Sequence, residues 1–214
     1  MIWLNYSEAC ARNQAVILQQ LAPLLPSTGS LLEIGSGSGQ HAVHLGAALS
    51  GLRWQPTDLP ANLPALSANL LHFGSDNISP PLALDVTAEP WPVTAANVIY
   101  SANTLHIMGW PQTVALLQGA GRLLTPGGLL CIYGPFRYQG QYTSASNAEF
   151  DRWLQQRDPR SGIRDFEAVN EQALAQGLEL ERDISMPANN QLLVWRKLAQ
   201  EQVGSRKVKG GRGK

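Results

Sequence analysis

Residues Leu31–His41 read LLEIGSGSGQH. Leu31, Leu32 and Ile34 make a short apolar run, and glycine then takes every second place at Gly35, Gly37 and Gly39. An apolar run closed by glycines predicts a short buried strand. Three glycines together are entropically costly, so they mark a backbone that needs unusual torsions or that another group approaches closely. From Gln40 to Leu49 the spacing becomes helical, through Val43, Ala47 and Ala48. Strand, glycine turn and helix in that order put bare N–H groups at a helix N-terminus, where a nucleotide-like ligand can lie.

The alternation continues on both sides. Ala11 to Leu21 predicts a helix with Val16, Ile17 and Leu21 on one face and Pro23 beyond its end. LRWQPTD (52–58) predicts a second strand, stopped near Pro56. PLALDV (81–86) and ANVIYSAN (96–103) predict a third and a fourth, separated by the proline- and tryptophan-rich TAEPWPVTA. Gln112 to Leu124 is helical, with Val114, Leu117, Ala120, Leu123 and Leu124 facing inward, and ends at the turn signal TPGG. LLCIYGPF (129–136) is a fifth strand. In SNAE, Ser146 is placed to cap a helix and Glu149 to reach back, ahead of Phe150, Trp153 and Leu154. Asp165 is placed to cap another helix that stops at Gly177, and LELERDI and QLLVWRK close the series as strands joined by SMPANN. Strand, helix, strand repeated in this way calls for a doubly wound α/β architecture with helices on both faces of a parallel sheet.

In such a sheet ligands bind at the carboxyl ends of the strands. The dinucleotide fingerprint GxGxxG needs glycine at position 40, where Gln40 stands. The pattern is instead acid-x-Gly-x-Gly-x-Gly, starting at Glu33. Here the sequence resembles the class I S-adenosylmethionine-dependent methyltransferases, whose first motif has this form. The resemblance implies a doubly wound, mostly parallel seven-stranded sheet with an antiparallel last strand, and S-adenosyl-L-methionine as cofactor. It assigns Glu33, Gly35, Ser36, Gly37 and Gly39 to cofactor binding. Asp58 closes the second strand, 19 residues after Gly39, and its two acceptor oxygens suit a vicinal diol of ribose. Asp85 ends the third strand, where the family places an acid for the adenine amino group, with Val86 packing on the ring. Asn103, after the fourth strand, completes the implied cofactor set.

A closer resemblance, covering the body up to about Lys197, is to the methyltransferase-like 26 family. ARN (11–13), EIGSGSGQHAVH, WQPTD, SANTLHIMGW, LLTPGGLLCIYGPF, SNAEFD, RDPRSGIRD and MPANN carry it. SEACARN departs from it, lacking the proline expected after the serine.

Methyl transfer from a sulfonium is an in-line displacement with a good leaving group, so orientation and desolvation dominate. A catalytic triad, a zinc cluster or a P-loop lysine is not required. Acceptor-side groups should gather on the cofactor's rim. Asn103 and His106 follow the fourth strand, Tyr133 and Phe136 end the fifth, and Arg12 and Asn13 come from the ARN stretch. Asn189 and Asn190 join them if the sixth strand is parallel and the seventh antiparallel. Neutral amides and one imidazole suit a polar, uncharged acceptor, either a small molecule or a protein side chain. His106 is the candidate general base, with Asn103 as a second catalytic candidate. The alternative for His106 is an ordering donor or a packed ring beside Ile107 and Trp110. His41 and His44 read as a solvated helix face rather than a metal pair, since no third ligand lies nearby. Arg12, Arg137, Arg160 and Arg164 read as surface charges, with a carboxylate clamp as the alternative. SANTLH lacks the paired prolines of amino-group methyltransferases, and no Pro-Cys dipeptide offers a nucleophile for cytosine C5. Two other functions compete: a regulator that binds S-adenosylmethionine without turnover, and a nicotinamide oxidoreductase. Gln40 and the lack of a Tyr-x-x-x-Lys pair disfavour the second.

At 214 residues with 44% hydrophobic and 15% charged, the chain suits one domain with a full core, expected over residues 1–198. No apolar run approaches the ~20 residues of a membrane span, and MIWLNYSEAC lacks the basic start of a signal peptide. Cys10 and Cys131 lie far apart, so a cytoplasmic address is expected. The 16 cations and 16 anions are unevenly spread: the five cations of SRKVKGGRGK leave 11 against 16 elsewhere, a body at −5. The tail, 199–214, reads as a disordered, solvated end. An acidic body argues against nucleic acid as partner, except weakly through that tail.

Overall fold

Successive residues of a strand point to opposite faces, and Leu31 and Leu32 divide accordingly. The structure, a computed structural model, describes residues 2–199, so the expectation for the tail lies, beyond Ala199, outside the described residues. The first strand, β1 (Gly29–Ile34), is followed by β2 (Leu52–Asp58), β3 (Leu82–Ala83), β4 (Ala96–Ala102) and β5 (Leu124–Gly134). Short strands β6 (Phe136–Tyr138), β7 (Gln141–Tyr142) and β8 (Arg164–Asp165) come next, then β9 (Leu178–Met186) and β10 (Asn190–Lys197). The helices are α1 (Glu8–Leu21), α2 (Gln40–Ala48), α3 (Leu63–Phe73), α4 (Trp110–Leu123), α5 (Ala145–Arg157) and α6 (Phe166–Ala175).

Seven strands form one sheet in the order β3-β2-β1-β4-β5-β10-β9. The pairs from β3 to β5 are parallel, and β10 is antiparallel to both β5 and β9. The expected mostly parallel sheet with an antiparallel last strand is therefore present. Leu31, Trp54, Tyr100 and Cys131 pack with Ile17 and Leu21 of α1, Leu45 of α2 and Leu66 of α3. Leu32, Ile99, Ile132 and Trp195 pack on the other face with Leu116 and Leu117 of α4 and Val169 and Ala173 of α6. A second sheet, β7-β6-β8, carries α5 between β5 and α6.

Several local expectations are corrected. Pro56 does not stop β2, which runs on to Asp58. Trp54 bonds to Asn77 and Ser79, and Asp58 to Leu84, so Pro56 sits in a gap of that ladder where no N–H is needed. The third strand shrinks to Leu82–Ala83, and α3, unforeseen, precedes it. TPGG lies within β5 as a bulge: the register jumps from Ala96↔Leu124 to Val98↔Leu129, and Gly127 has φ +78°. The α5 cap is Ser144, whose Oγ accepts the Asn147 N–H at 3.1 Å, while Ser146 falls inside the first turn. Asp165 occupies the N-cap of α6, but its carboxylate bonds Arg137 at 2.7 Å instead of the helix. The buried face of α2 is His41, Ala42, Leu45 and Gly46; Ala47 and Ala48 are exposed. In α4, Thr113, Leu116 and Gly119 join Leu117 and Ala120 inside, while Val114 and Leu123 are half-buried.

Candidate functional site

Strand order reverses between β1 and β4, and the chain leaves both strands at the same rim. Residues from the two exits touch there. A Cβ on Gly35 would lie 2.9 Å from both Cγ2 and Oγ1 of Thr104, so Gly35 makes room for the loop after β4. Gly39 makes room for α3, since its Cβ would meet Leu66 and Leu70 at 2.8 and 3.0 Å. A Cβ on Gly37 would meet nothing within 4 Å, yet its φ is +57°, as Gly35 and Gly39 have +74° and +83°. All three therefore supply left-handed torsions, two of them also supply close packing, and Gly37 alone faces open space.

The loop between them is held by β2. The N–H groups of Gly35 and Ser36 both donate to the Thr57 carbonyl at 3.0 Å, and Ser36 Oγ accepts the Thr57 N–H at 3.2 Å. The Gly37 N–H donates to Asp58 Oδ2 at 2.6 Å. Asp58 Oδ1 accepts from the Leu59 N–H and from Asn62 Nδ2, both at 2.7 Å. Asp58 is thus buried and oriented before any ligand arrives, and Oδ2 keeps one acceptor position beyond Gly37.

Two cavities meet at Gly35, Asn62 and Ala102. The larger, about 390 Å³, holds Asp58, Asp85, Val86 and Asn103, all expected at the cofactor. Leu59, Leu84, Ile107 and Met108 give it apolar walls. Asp85 is exposed, and the Thr87 N–H and hydroxyl on its Oδ1, at 2.9 and 2.7 Å, hold its carboxyl below the ordinary range. Asn103 has φ +57°, and its buried Nδ2 finds no partner among the described residues. The smaller cavity, about 280 Å³, lies between the loop Gly35–Ser38 and the segment carrying Asn5, Ser7 and Cys10, with His41 at its back.

Glu33 lines neither cavity. Its carboxyl is 2% exposed and accepts the Trp54 indole N–H at 2.8 Å, and burial pushes it up to about 7. His41 is not on a solvated face. Its ring is buried between Asn13 Oδ1, 2.7 Å from Nε2, and the Tyr100 hydroxyl, 3.3 Å from Nδ1. An amide oxygen only accepts, so Nε2 carries the proton and Nδ1 accepts from Tyr100. Burial depresses this imidazole to about 4. Among the described residues no group of three or more His, Cys, Asp or Glu is placed to hold a metal.

The expected acceptor groups separate. Asn13 and Tyr133 are buried, and the Asn13 amide oxygen is taken up by His41. Asn190 Nδ2 donates to Pro187 and Ala188 carbonyls at 3.2 and 3.3 Å. Asn189 is exposed and fastened to α5, its carbonyl accepting from Asn147 Nδ2 at 2.9 Å. Phe136 leaves the rim altogether and packs in the core against the α4 and α6 layer. Arg12 is exposed on α1. His106 is 6% exposed, packed edge-on against Phe150 with centroids 5.3 Å apart; burial, then the Arg164 charge, lowers it to about 4.

Of the arginines, Arg160 pairs with Asp158 and both line the larger cavity. Arg137 pairs with Asp165. Arg164 is a strut, donating to the carbonyls of Leu105 (3.2 Å), Met108 and Arg160 (2.8 Å). Sequence reasoning did not single out Thr57, Asn62 or Thr104, and Arg164, expected as a surface charge or carboxylate clamp, is instead the strut between two loops.

The family described as "Protein of unknown function (DUF938)" matches residues 4–197. Among solved structures, the chain superposes on the O-methyltransferase family 2 protein from Planctomyces limnophilus in complex with apigenin. The TM-score is 0.74 at 20% identity, covering 89% of this chain and 60% of that one. Human N-acetylserotonin methyltransferase in complex with SAM gives a TM-score of 0.73 at 17% identity, covering 90% and 53%. The SAH-bound methyltransferase of calicheamicin biosynthesis, CalO1, gives 0.71 at 18%, covering 87% and 54%. The chain spans about half to three fifths of these proteins, and what it shares with them is the fold.

Proposed function

We propose that this chain, which belongs to that family, is an S-adenosylmethionine-dependent methyltransferase acting on a polar, uncharged acceptor. The observation that carries the reading is the Gly37–Asp58 pair at the junction of two cavities. It offers one open glycine turn and one buried, pre-oriented carboxylate at the sheet's switch point.

The residues fit the cofactor. Asp58 Oδ2 keeps an acceptor position for a ribose hydroxyl, and Val86, Leu84 and Met108 give a purine apolar walls. The Asp85 carboxylate is ionised at neutral pH and suited to an exocyclic amine. The smaller cavity, lined by Gly37 and joined to the larger one at Gly35 and Asn62, would hold the amino-acid end. Bound S-adenosylmethionine would supply an electrophilic methyl group. The protein's own contribution is orientation and exclusion of water. Asn13, Tyr133 and Asn190 line neither cavity, and the preference for a polar, uncharged acceptor, whether small molecule or protein side chain, rests on the sequence pattern of neutral amides at the strand ends. His106 packs edge-on against Phe150 and lines neither cavity, and burial lowers it to about 4, which makes it a weak base. Membership of the methyltransferase-like 26 family and a cytoplasmic address belong to the same reading. Among the described residues no helix is long and apolar enough to cross a membrane.

Calorimetry with S-adenosylmethionine and S-adenosylhomocysteine, followed by a labelled-methyl screen of cell extract, tests it. Saturable binding of both and label transfer are expected. A chain that binds neither ends the proposal.

A further inference from the structure

The segment ahead of α1 lies along the smaller cavity, and two side-chain amides hold it there. Asn69 of α3 accepts the Leu4 N–H on Oδ1 at 3.0 Å and donates Nδ2 to the Leu4 carbonyl at 2.9 Å. Gln40, the first residue of α2, accepts the Ser7 N–H on Oε1 at 2.6 Å and donates Nε2 to the Ser7 carbonyl at 3.2 Å. Each amide therefore engages both backbone groups of a single residue, as a neighbouring strand would. Both also reach Ser38 in the glycine loop. Asn69 Nδ2 donates to the Ser38 carbonyl at 2.9 Å, and the Ser38 hydroxyl donates to Gln40 Oε1 at 2.8 Å. Gln40 and Asn69 are 4% and 2% exposed, so neither amide has water to fall back on.

The position of this clasp is selective. Asn5 and Ser7 line the smaller cavity, together with Cys10 at the start of α1. Residues 2–10 contribute nothing to the lining of the larger cavity. Gln40 also occupies the place where a dinucleotide fingerprint has glycine, so the substitution has a use of its own: it ties the loop to a covering strap.

We propose that Gln40 and Asn69 are positioning residues that hold residues 4–7 as the outer wall over the amino-acid end of the bound cofactor, leaving the adenosine end untouched. The inference rests on the cofactor reading above. It predicts that the strap discriminates between ligands that differ only in the amino-acid arm, because the strap meets that arm alone.

The test compares S-adenosylhomocysteine with adenosine on the full chain. In Gln40→Met and in Asn69→Leu, S-adenosylhomocysteine should bind about tenfold more weakly, the scale of one or two hydrogen bonds. Adenosine should stay within about twofold of the parent. In the parent, hydrogen exchange supplies a readout that needs no variant to fold. Amides 4–7 should gain about tenfold protection with S-adenosylhomocysteine and none with adenosine. Equal weakening of both ligands, no weakening of either, or equal protection by both overturns the wall. Failure of the parent to bind either ligand overturns the cofactor reading instead, so the two failures are told apart.

Discussion

The Gly37 N–H and Asp58 Oδ2 lie 2.6 Å apart, a charge-assisted bond that locks the turn to the end of β2. The same carboxylate takes the Leu59 N–H and the Asn62 amide. Asp58→Ala removes all three anchors as well as the proposed ribose acceptor. S-adenosylhomocysteine binding should weaken by on the order of 1–3 kcal/mol. Asn62→Ala removes one anchor and leaves the carboxylate, so the loss should be smaller, about 1 kcal/mol. Calorimetry on both variants gives the order, and equal losses would contradict it.

The three glycines should respond differently to alanine. Gly37→Ala meets no atom, so only the left-handed torsion counts against it, about 1–2 kcal/mol of folding stability. Gly39→Ala adds contacts at 2.8 and 3.0 Å with Leu66 and Leu70, and should lose about 1–3 kcal/mol more. Ligand affinity should rank the opposite way in part: Gly37→Ala folds well yet places a methyl where the proposed cofactor would pass. Urea melts and calorimetry together check this, and a Gly37→Ala chain with parental affinity would show that nothing lies against that turn.

Arg164 joins two loops that the chain order keeps far apart, donating to the carbonyls of Leu105, Met108 and Arg160. The Ser161 hydroxyl to Ile107 at 2.8 Å and the Gly162 N–H to His106 at 2.9 Å complete the staple. Ile107 and Met108 are a wall of the larger cavity. Arg164→Lys keeps the charge but not the fork of donors. It should lower stability by about 2–3 kcal/mol, the worth of one or two charge-assisted bonds. Amides 105–108 should exchange faster in hydrogen-exchange measurements while those of β1 do not.

What was legible in the sequence was local. The unit from Leu31 to Ala48 could be read because strand, torsion-demanding turn and helix follow one another without interruption. Asp58 could be placed because it ends β2, and Asp85 because it follows β3 by two residues and lines the same cavity. LPALSANLLHF hid α3, for its buried face includes Asn69, a polar residue whose place in the interior depends on Leu4 and Ser38. His41 was misread for the same reason: its partners, Asn13 and Tyr100, come from 28 and 59 residues away. Phe136 reads as a rim residue only if β5 runs through it, and β5 ends at Gly134. The chain turns at Gly134 and Pro135 and delivers its ring to the core.

Three buried groups give stability a pH dependence of opposing signs. His41 and His106 are lowered from 6.5 to about 4. Between those values the unfolded chain binds the proton and the native chain does not, so stability falls as pH drops from 6.5 towards 4, by on the order of 3 kcal/mol for each ring. Glu33 is raised from 4.5 to about 7, so the native chain holds the proton over that window and stability falls as pH rises through it. Gln at either position keeps a hydrogen-bonding side chain without titrating. Relative to the parent, Glu33→Gln should therefore gain stability with rising pH between 4.5 and 7, while His41→Gln should lose it between 4 and 6.5. Each slope should be about 1.4 kcal/mol per pH unit. Urea denaturation across pH 4.5 to 8 measures both, and curves that run parallel to the parent's would show that these groups titrate normally in the native chain.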